Sequence, residues 1–212
     1  MRAASLIELV APALCWSCRD PSPARGPLCP RCAAALPWLD GRDAPPPPGL
    51  DGCRAPLAFE GPARDLVHAL KLRPAPRVAR LMGAHLVHGA PPETWRPEGL
   101  VLVPAPASPW RTHARGIDHT TVLARELARR TGLPVGAALR RRGAPWSRQR
   151  GRTRRERLAG TALSVEASRP APSCCLLVDD VMTTGATLAA CAAALRSAGA
   201  RRVCAVVYAR VV

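Results

Sequence analysis

Aromatic side chains make up only 3% of this chain, with a single Phe and a single Tyr. A packed core must therefore be built from Leu, Val and Ala, which the 48% hydrophobic content allows. Lysine is nearly absent: Lys71 is the only one, and all other residues of the 31 basic ones are arginine. Acidic residues number 15, leaving a net charge of +16. Such a balance favours phosphates, nucleic acids or acidic partners over cationic ones. Arginine, alanine, glycine and proline are all abundant, which suggests GC-rich codon usage, so the arginine excess alone is no functional signal. No stretch approaches the roughly 18 consecutive apolar residues of a membrane span. The apolar residues Leu6, Ile7, Leu9 and Val10 follow Arg2, but Glu8 interrupts them and Leu14 before Cys15 suits signal cleavage poorly. The expected location is cytoplasmic, and no membrane span is expected. A length of 212 residues accommodates one medium domain plus a small appendage.

What is present begins with cysteine. Residues 5–11 read as a short amphipathic helix, and after them come Cys15-x-x-Cys18 and Cys29-x-x-Cys32. Each pair can grip one edge of a tetrahedron, and Gly26, Pro27 and Pro30 supply turns, as in a four-cysteine zinc knuckle. Two disulfides or an iron–sulfur cluster are the other uses of such pairs. With four thiolates filling the coordination sphere, the Zn²⁺ would be structural. Asp43 to Gly49, with four consecutive prolines, reads as a stiff polyproline linker. The expected division is a zinc-binding region and linker over 1–50 and a second domain over 51–212. Cys53, just beyond the boundary, reads as a buried free thiol.

The densest chemistry lies between Cys174 and Thr187. Leu176, Leu177 and Val178 form an apolar run of buried-strand type, ended by Asp179 and Asp180. Then come Thr183, Thr184, Gly185, Ala186 and Thr187, followed by Leu188, Cys191, Ala192, Leu195 and Ala198 at helical spacing, with Gly199 placed as the C-cap. A helix N-terminus offers free N–H groups and partial positive charge. A loop of small residues lets a phosphate approach those groups, and threonine hydroxyls add donors. The acids cannot bind phosphate, but they can accept from ribose hydroxyls or hold hydrated Mg²⁺. Together these features describe a ribose 5-phosphate site.

Elsewhere, strands are expected at 55–59, 100–103, 133–139 and 203–208, and helices at 64–72, 77–88 and 118–130, the last capped by Asp118. His85 and His88, one helical turn apart, read as a solvated face. Strands alternating with helices argue for an α/β fold with a largely parallel sheet flanked by helices. Between Arg140 and Arg157 lie nine arginines, two glycines, a proline and one acid, Glu156. This segment reads as a solvated charge run, a lid over pyrophosphate, or a nucleic-acid contact in which Trp146 stacks on bases.

The stretch from Leu176 to Thr187 resembles the signature of the type I phosphoribosyltransferases: apolar residues, two acids, two apolar residues, then a threonine-glycine-threonine-like loop. The whole chain resembles the competence protein ComF family, which joins a cysteine-pair zinc region to a phosphoribosyltransferase domain. The matching landmarks are the four cysteines, Ala69-Leu-Lys71, Val103-Pro-Ala-Pro106 with Arg111 and Arg115-Gly116, and Gln149 with Arg157. The resemblance implies a type I phosphoribosyltransferase-like fold, binding of phosphoribosyl pyrophosphate with Mg²⁺, and displacement of its pyrophosphate by an unidentified acceptor. It implies that Thr183, Thr184, Gly185, Ala186 and Thr187 hold the 5-phosphate, and that Asp179 and Asp180 hold ribose and hydrated Mg²⁺. Ala105, Ser108 and Arg115 would receive the pyrophosphate, Gln149 and Arg157 would close over it, and Lys71 would add a phosphate contact. It also implies competence proteins or single-stranded nucleic acid as partners, and a non-catalytic phosphoribosyl-binding regulator is the alternative. The chain departs from the family at Ile117-Asp118-His119 in place of Phe-Asn-Gln, Arg152 in place of leucine and Gly160 in place of asparagine. No obvious general base for an acceptor is present; His119 is the only nearby candidate, and surface histidines are common.

Overall fold

A computed structural model describes residues 14–22, 26–39, 45–72, 75–106, 118–141, 165–167 and 170–212. Its elements in chain order are α1 (Pro30–Ala34), β1 (Gly52–Arg54), β2 (Leu57–Ala58), α2 (Gly61–Leu72), α3 (Pro76–Gly89), β3 (Leu100–Pro104), α4 (His119–Thr131), β4 (Leu139–Arg141), β5 (Val165–Ala167), β6 (Cys174–Met182), α5 (Ala186–Ser197) and β7 (Arg202–Arg210). The expected helix at 5–11 lies outside the described residues.

The strongest apolar runs take the centre of the sheet. The order is β1-β7-β6-β3, with β2 also on β7, and every pairing in this sheet is parallel. The nine-residue strands β6 and β7 are the longest, and both are buried on two faces, as parallel strands covered by helices must be. Their alternation sorts the core. Cys174, Leu176, Val178, Val206 and Tyr208 pack with Leu66, Leu70, Met82, Leu86, Leu123 and Leu127 of α2, α3 and α4. Cys175, Leu177, Ala205 and Val207 pack with Leu188, Cys191, Ala192 and Leu195 of α5. Among the described residues, three helices thus cover one face and one helix the other. Cys15, Leu28, Cys29 and Leu36 of the four-cysteine region pack in the same core cluster as α2 and α3.

Two expected strands are broken by proline. The strand expected at 55–59 is reduced to β2, with Pro56, which has no N–H for the ladder, between it and β1 at 52–54. The strand at 133–139 reduces to one bridge, Val135 with Leu102, between Pro134 and Gly136. Leu139–Arg141 instead pairs antiparallel with β5. The acid pair does not end its strand: β6 continues to Met182 because β7 pairs with it as far as Arg210. The helix after the loop is N-capped by Gly185 and C-capped by Ala198, with Gly199 following in the left-handed region. His88 is exposed as expected, whereas His85 is only partly exposed. Its Nδ1 lies 3.0 Å from the Tyr208 hydroxyl, its ring meets Trp38, and burial pushes its pKa down to about 4.

Candidate functional site

The carboxyl end of β6 is where an open parallel sheet presents groups to a ligand. Successive side chains of a strand point to opposite faces, so the adjacent acids part company. Asp180 faces the side of α2 and α4. Asp179 pairs in register with Val207 and turns towards the α5 side, where Cys53 and Cys191 feel its charge.

Asp180 is buried, at 4% exposure, and it is held by two basic side chains. Lys71 Nζ, from the last turn of α2, lies 2.9 Å from its Oδ2, and His119 Nε2, the first residue of α4, lies 3.1 Å from the same oxygen. Burial works against the charged carboxylate, but the His119 and Lys71 side chains beside it outweigh it and hold the carboxyl below the usual range. Neither approach has hydrogen-bond geometry, and Oδ2 has no hydrogen-bond partner among the described residues. Asp179 is half-buried and has no such cation. Burial and the neighbouring Asp180 charge push its pKa up to about 7.

His119 is placed by the start of α4. The Asp118 carboxylate accepts from the Thr121 backbone N–H at 3.3 Å and from the Thr121 hydroxyl at 2.8 Å. The Thr120 hydroxyl donates to the Ala105 carbonyl at 2.7 Å, tying the helix start to the end of β3. Ala105, a sequence-predicted site residue, is buried, and its N–H donates to the Val178 carbonyl. Its backbone N–H and carbonyl are therefore both engaged within the fold.

The loop after Met182 exposes Thr183 and Thr184, and Thr187 is half-buried in the first turn of α5. Gly185 has φ 75°, a conformation that L side chains rarely adopt. A Cβ there would also meet Pro47 Cγ at 2.6 Å. The proline segment thus packs on the loop. Arg196 of α5 holds the same segment, donating to the Gly49 carbonyl at 2.8 Å and to Asp51 at 2.7 Å. Thr184 Oγ1 accepts from the Ala186 N–H at 3.4 Å, and the N-cap Gly185 has no side chain, so the first-turn N–H groups beyond Ala186 are the ones open to an anion.

The structure therefore brings Lys71, Asp180 and His119 together, with the Thr183–Thr187 loop directly following β6. Ser108, Arg115, Gln149 and Arg157 lie outside the described residues, as does most of the arginine-rich segment. The partnership of His119 with Asp180, and Pro47 on the loop, were not legible from local pattern. The one available signal was that His119 stands at a point of departure from the resembled family.

Mg²⁺ is held in many phosphate sites by one or two carboxylates, often through water, together with substrate phosphates. Because Asp179 and Asp180 face opposite sides, they do not form a direct two-carboxylate cage. Contact through the ion's water from either acid is compatible with their placement, and Asp180 Oδ2 already carries two cationic partners.

At the other end of the chain, Cys15, Cys18, Cys29 and Cys32 place their sulfurs within 4.8 Å of one another. The Cys29 N–H donates to Cys15 Sγ at 3.3 Å, and α1 starts directly after Cys29. Burial opposes the Cys15 thiolate, but the backbone N–H groups of Cys29, Cys18 and Ser17 bring it down to about 6. Cys18 is pushed up to about 12 by burial and the neighbouring sulfurs, against the Asp20 backbone N–H that favours its thiolate. Four sulfurs this close cannot all be thiolates without a cation, so the donor set fits a tetrahedral metal ion. The Ser17 hydroxyl donates to Asp65 of α2 at 2.7 Å and joins this centre to the helix that carries Lys71.

No protein-family model matches the chain, and no curated protein matches it. Among solved structures, it is similar to one described as the allosteric regulatory enzyme of purine biosynthesis, at 18% identity and a TM-score of 0.42, over 66% of this chain and 30% of that one. It is also similar to a hypoxanthine phosphoribosyltransferase from Staphylococcus aureus, at 14% identity and a TM-score of 0.33, over 68% of this chain and 62% of that one. The chain thus spans less than two thirds of the length of either protein.

Proposed function

We propose that the chain binds phosphoribosyl pyrophosphate with Mg²⁺ and transfers its 5-phosphoribosyl group to an acceptor, releasing pyrophosphate. The observation that carries this reading is a buried Asp180 beside Lys71 at the carboxyl end of β6, followed at once by the exposed Thr183 and Thr184 and by the N-terminus of α5, which no side chain caps. The loop N–H groups and the hydroxyls of Thr183, Thr184 and Thr187 would hold the 5-phosphate. Asp180 would accept from a ribose hydroxyl, and Asp179 would meet the hydrated Mg²⁺. As the bond to pyrophosphate breaks, the anomeric carbon takes on oxocarbenium character. The site's work is then to position the sugar and stabilise separating charge.

The four-cysteine cluster would hold a structural Zn²⁺, since it leaves no open coordination place for chemistry. The resemblance to competence proteins supplies the setting we propose for this reaction, DNA uptake. Calorimetric titration with phosphoribosyl pyrophosphate, with and without Mg²⁺, tests the reading. Binding that strengthens with Mg²⁺ and weakens in Asp180→Asn supports it. Absence of binding in both conditions overturns it.

A further inference from the structure

The prolines that lead into the sheet do more than connect it to the cysteine region. Residues 45–51 run along α5 as a strap and meet it at three points. Pro47 is buried and lies against the loop glycine, where a Cβ on Gly185 would meet its Cγ at 2.6 Å and its Cβ at 3.0 Å. Gly49, with φ 84°, passes so close to the middle of α5 that an added Cβ would sit 3.3 Å from Ala192 Cβ. Arg196, in the last turn, donates to the Gly49 carbonyl and to Asp51. Leu50 is buried in the core between α5 and the sheet. A run of prolines is stiff before it docks, so little freedom is lost in fixing it. The Leu50 N–H closes the turn by donating to the Pro47 carbonyl at 3.2 Å. On the other side of Gly185, Met182 Sδ lies 3.9 Å from the same missing Cβ. The glycine is thus held at φ 75° between the end of β6 and the strap.

We propose that the proline strap is part of the phosphate site, and that Pro47 is the positioning residue that holds the Thr183–Thr187 loop in the shape a sugar 5-phosphate requires. This rests on the phosphoribosyl-transfer reading above. A phosphate bound by backbone N–H groups needs several of them aimed at one point. A loop of threonines and a glycine that is free to move must be ordered by its ligand, and each residue so fixed weakens binding. The strap fixes the loop beforehand, so the phosphate meets donors already in place. Pro47 acts through Gly185, not by touching the phosphate. A ligand that brings no sugar phosphate to this loop gains nothing from the strap.

Ribose 5-phosphate and magnesium pyrophosphate separate a role in this loop from a role in the fold as a whole. Each is titrated by calorimetry into the full metal-loaded chain. In Pro47→Gly the affinity for ribose 5-phosphate should fall about tenfold, the scale of ordering one more backbone residue on binding. Affinity for magnesium pyrophosphate should stay within about threefold of the parent. Pro47→Val keeps a branched side chain against Gly185 and should recover most of the loss. Arg196→Met frees the far end of the strap without touching the loop. It should also weaken ribose 5-phosphate, and its effect should be less than additive with that of Pro47→Gly, since both release one strap. Unchanged affinity for ribose 5-phosphate in Pro47→Gly overturns the proposal, and so does an equal loss for both ligands. Should Pro47→Gly fail to fold, Arg196→Met decides by the same two criteria. A parent that does not bind ribose 5-phosphate fails the earlier reading instead, and the role of the strap falls with it.

Discussion

Adjacent side chains of one strand can carry opposite electrostatic consequences, as Asp179 and Asp180 do. Burial and its neighbour's charge raise Asp179 to about 7. Its unfolded value is near the ordinary 3.8. Between those limits the unfolded chain gives up a proton that the folded one keeps, so stability falls as pH rises through this window and is flat above it. Asp179→Asn should therefore raise the melting temperature at pH 8, with the gain vanishing near pH 4, as followed by circular dichroism. Asp180 has the opposite sign, because its carboxyl is held down by His119 and Lys71 against burial. Its contribution is present above the ordinary carboxylate range and is lost as acid protonates it. Lys71→Met should destabilise by about 1–3 kcal/mol at neutral pH, the scale of leaving a buried charged group without its partner. That loss should shrink at acid pH, as urea titrations would read. At Gly185 two costs coincide: a φ of 75° and Pro47 Cγ 2.6 Å from any added Cβ. Gly185→Ala should destabilise by about 1–3 kcal/mol. The added change Pro47→Gly should recover the collision but not the backbone strain, leaving a partial rescue in the same titration.

Elements here are set by what they can pair with and by where proline stops them. β6 outruns its apolar core because β7 lies beside it to the end, which carries the two acids inside a strand. Pro56 and Pro134 cut two apolar stretches into short pieces. Among the described residues, the knuckle around the four cysteines has one five-residue helix and depends on its donor set. Purified protein should carry about one Zn²⁺ per chain, since metal binding in such modules is itself folding energy. Elemental analysis checks this, with Cys15→Ser plus Cys18→Ser as the variant that loses the ion. Stripping the ion should raise amide hydrogen exchange at 14–22 and 26–36. The contact from Ser17 to Asp65 would extend that effect into the middle of α2.

At the scale of the molecule, the cysteine region and the helices of one sheet face share a core, so they should unfold together. Calorimetry of the metal-loaded chain should show one transition, and removal of the metal should move that whole transition down rather than split off a small early one. No helix among the described residues is long and apolar enough to cross a membrane. Much of this was legible in the sequence. The alternation of apolar runs with amphipathic stretches gave a parallel α/β sheet, because strands buried on both faces need unbroken Val and Leu and the helices covering them need one apolar stripe. The cysteine spacing announced a four-sulfur cluster, and the order of strand, acids, small-residue loop and helix announced a site. All of these depend on neighbours within one turn or one strand, which sequence records directly. Tertiary structure alone decided that Asp179 and Asp180 face apart, that Lys71 and His119 converge on one oxygen of Asp180, and that Pro47 rests on Gly185. Each of these joins positions far apart in the chain, and such contacts follow from how helices and linker pack over the sheet, which no local pattern encodes.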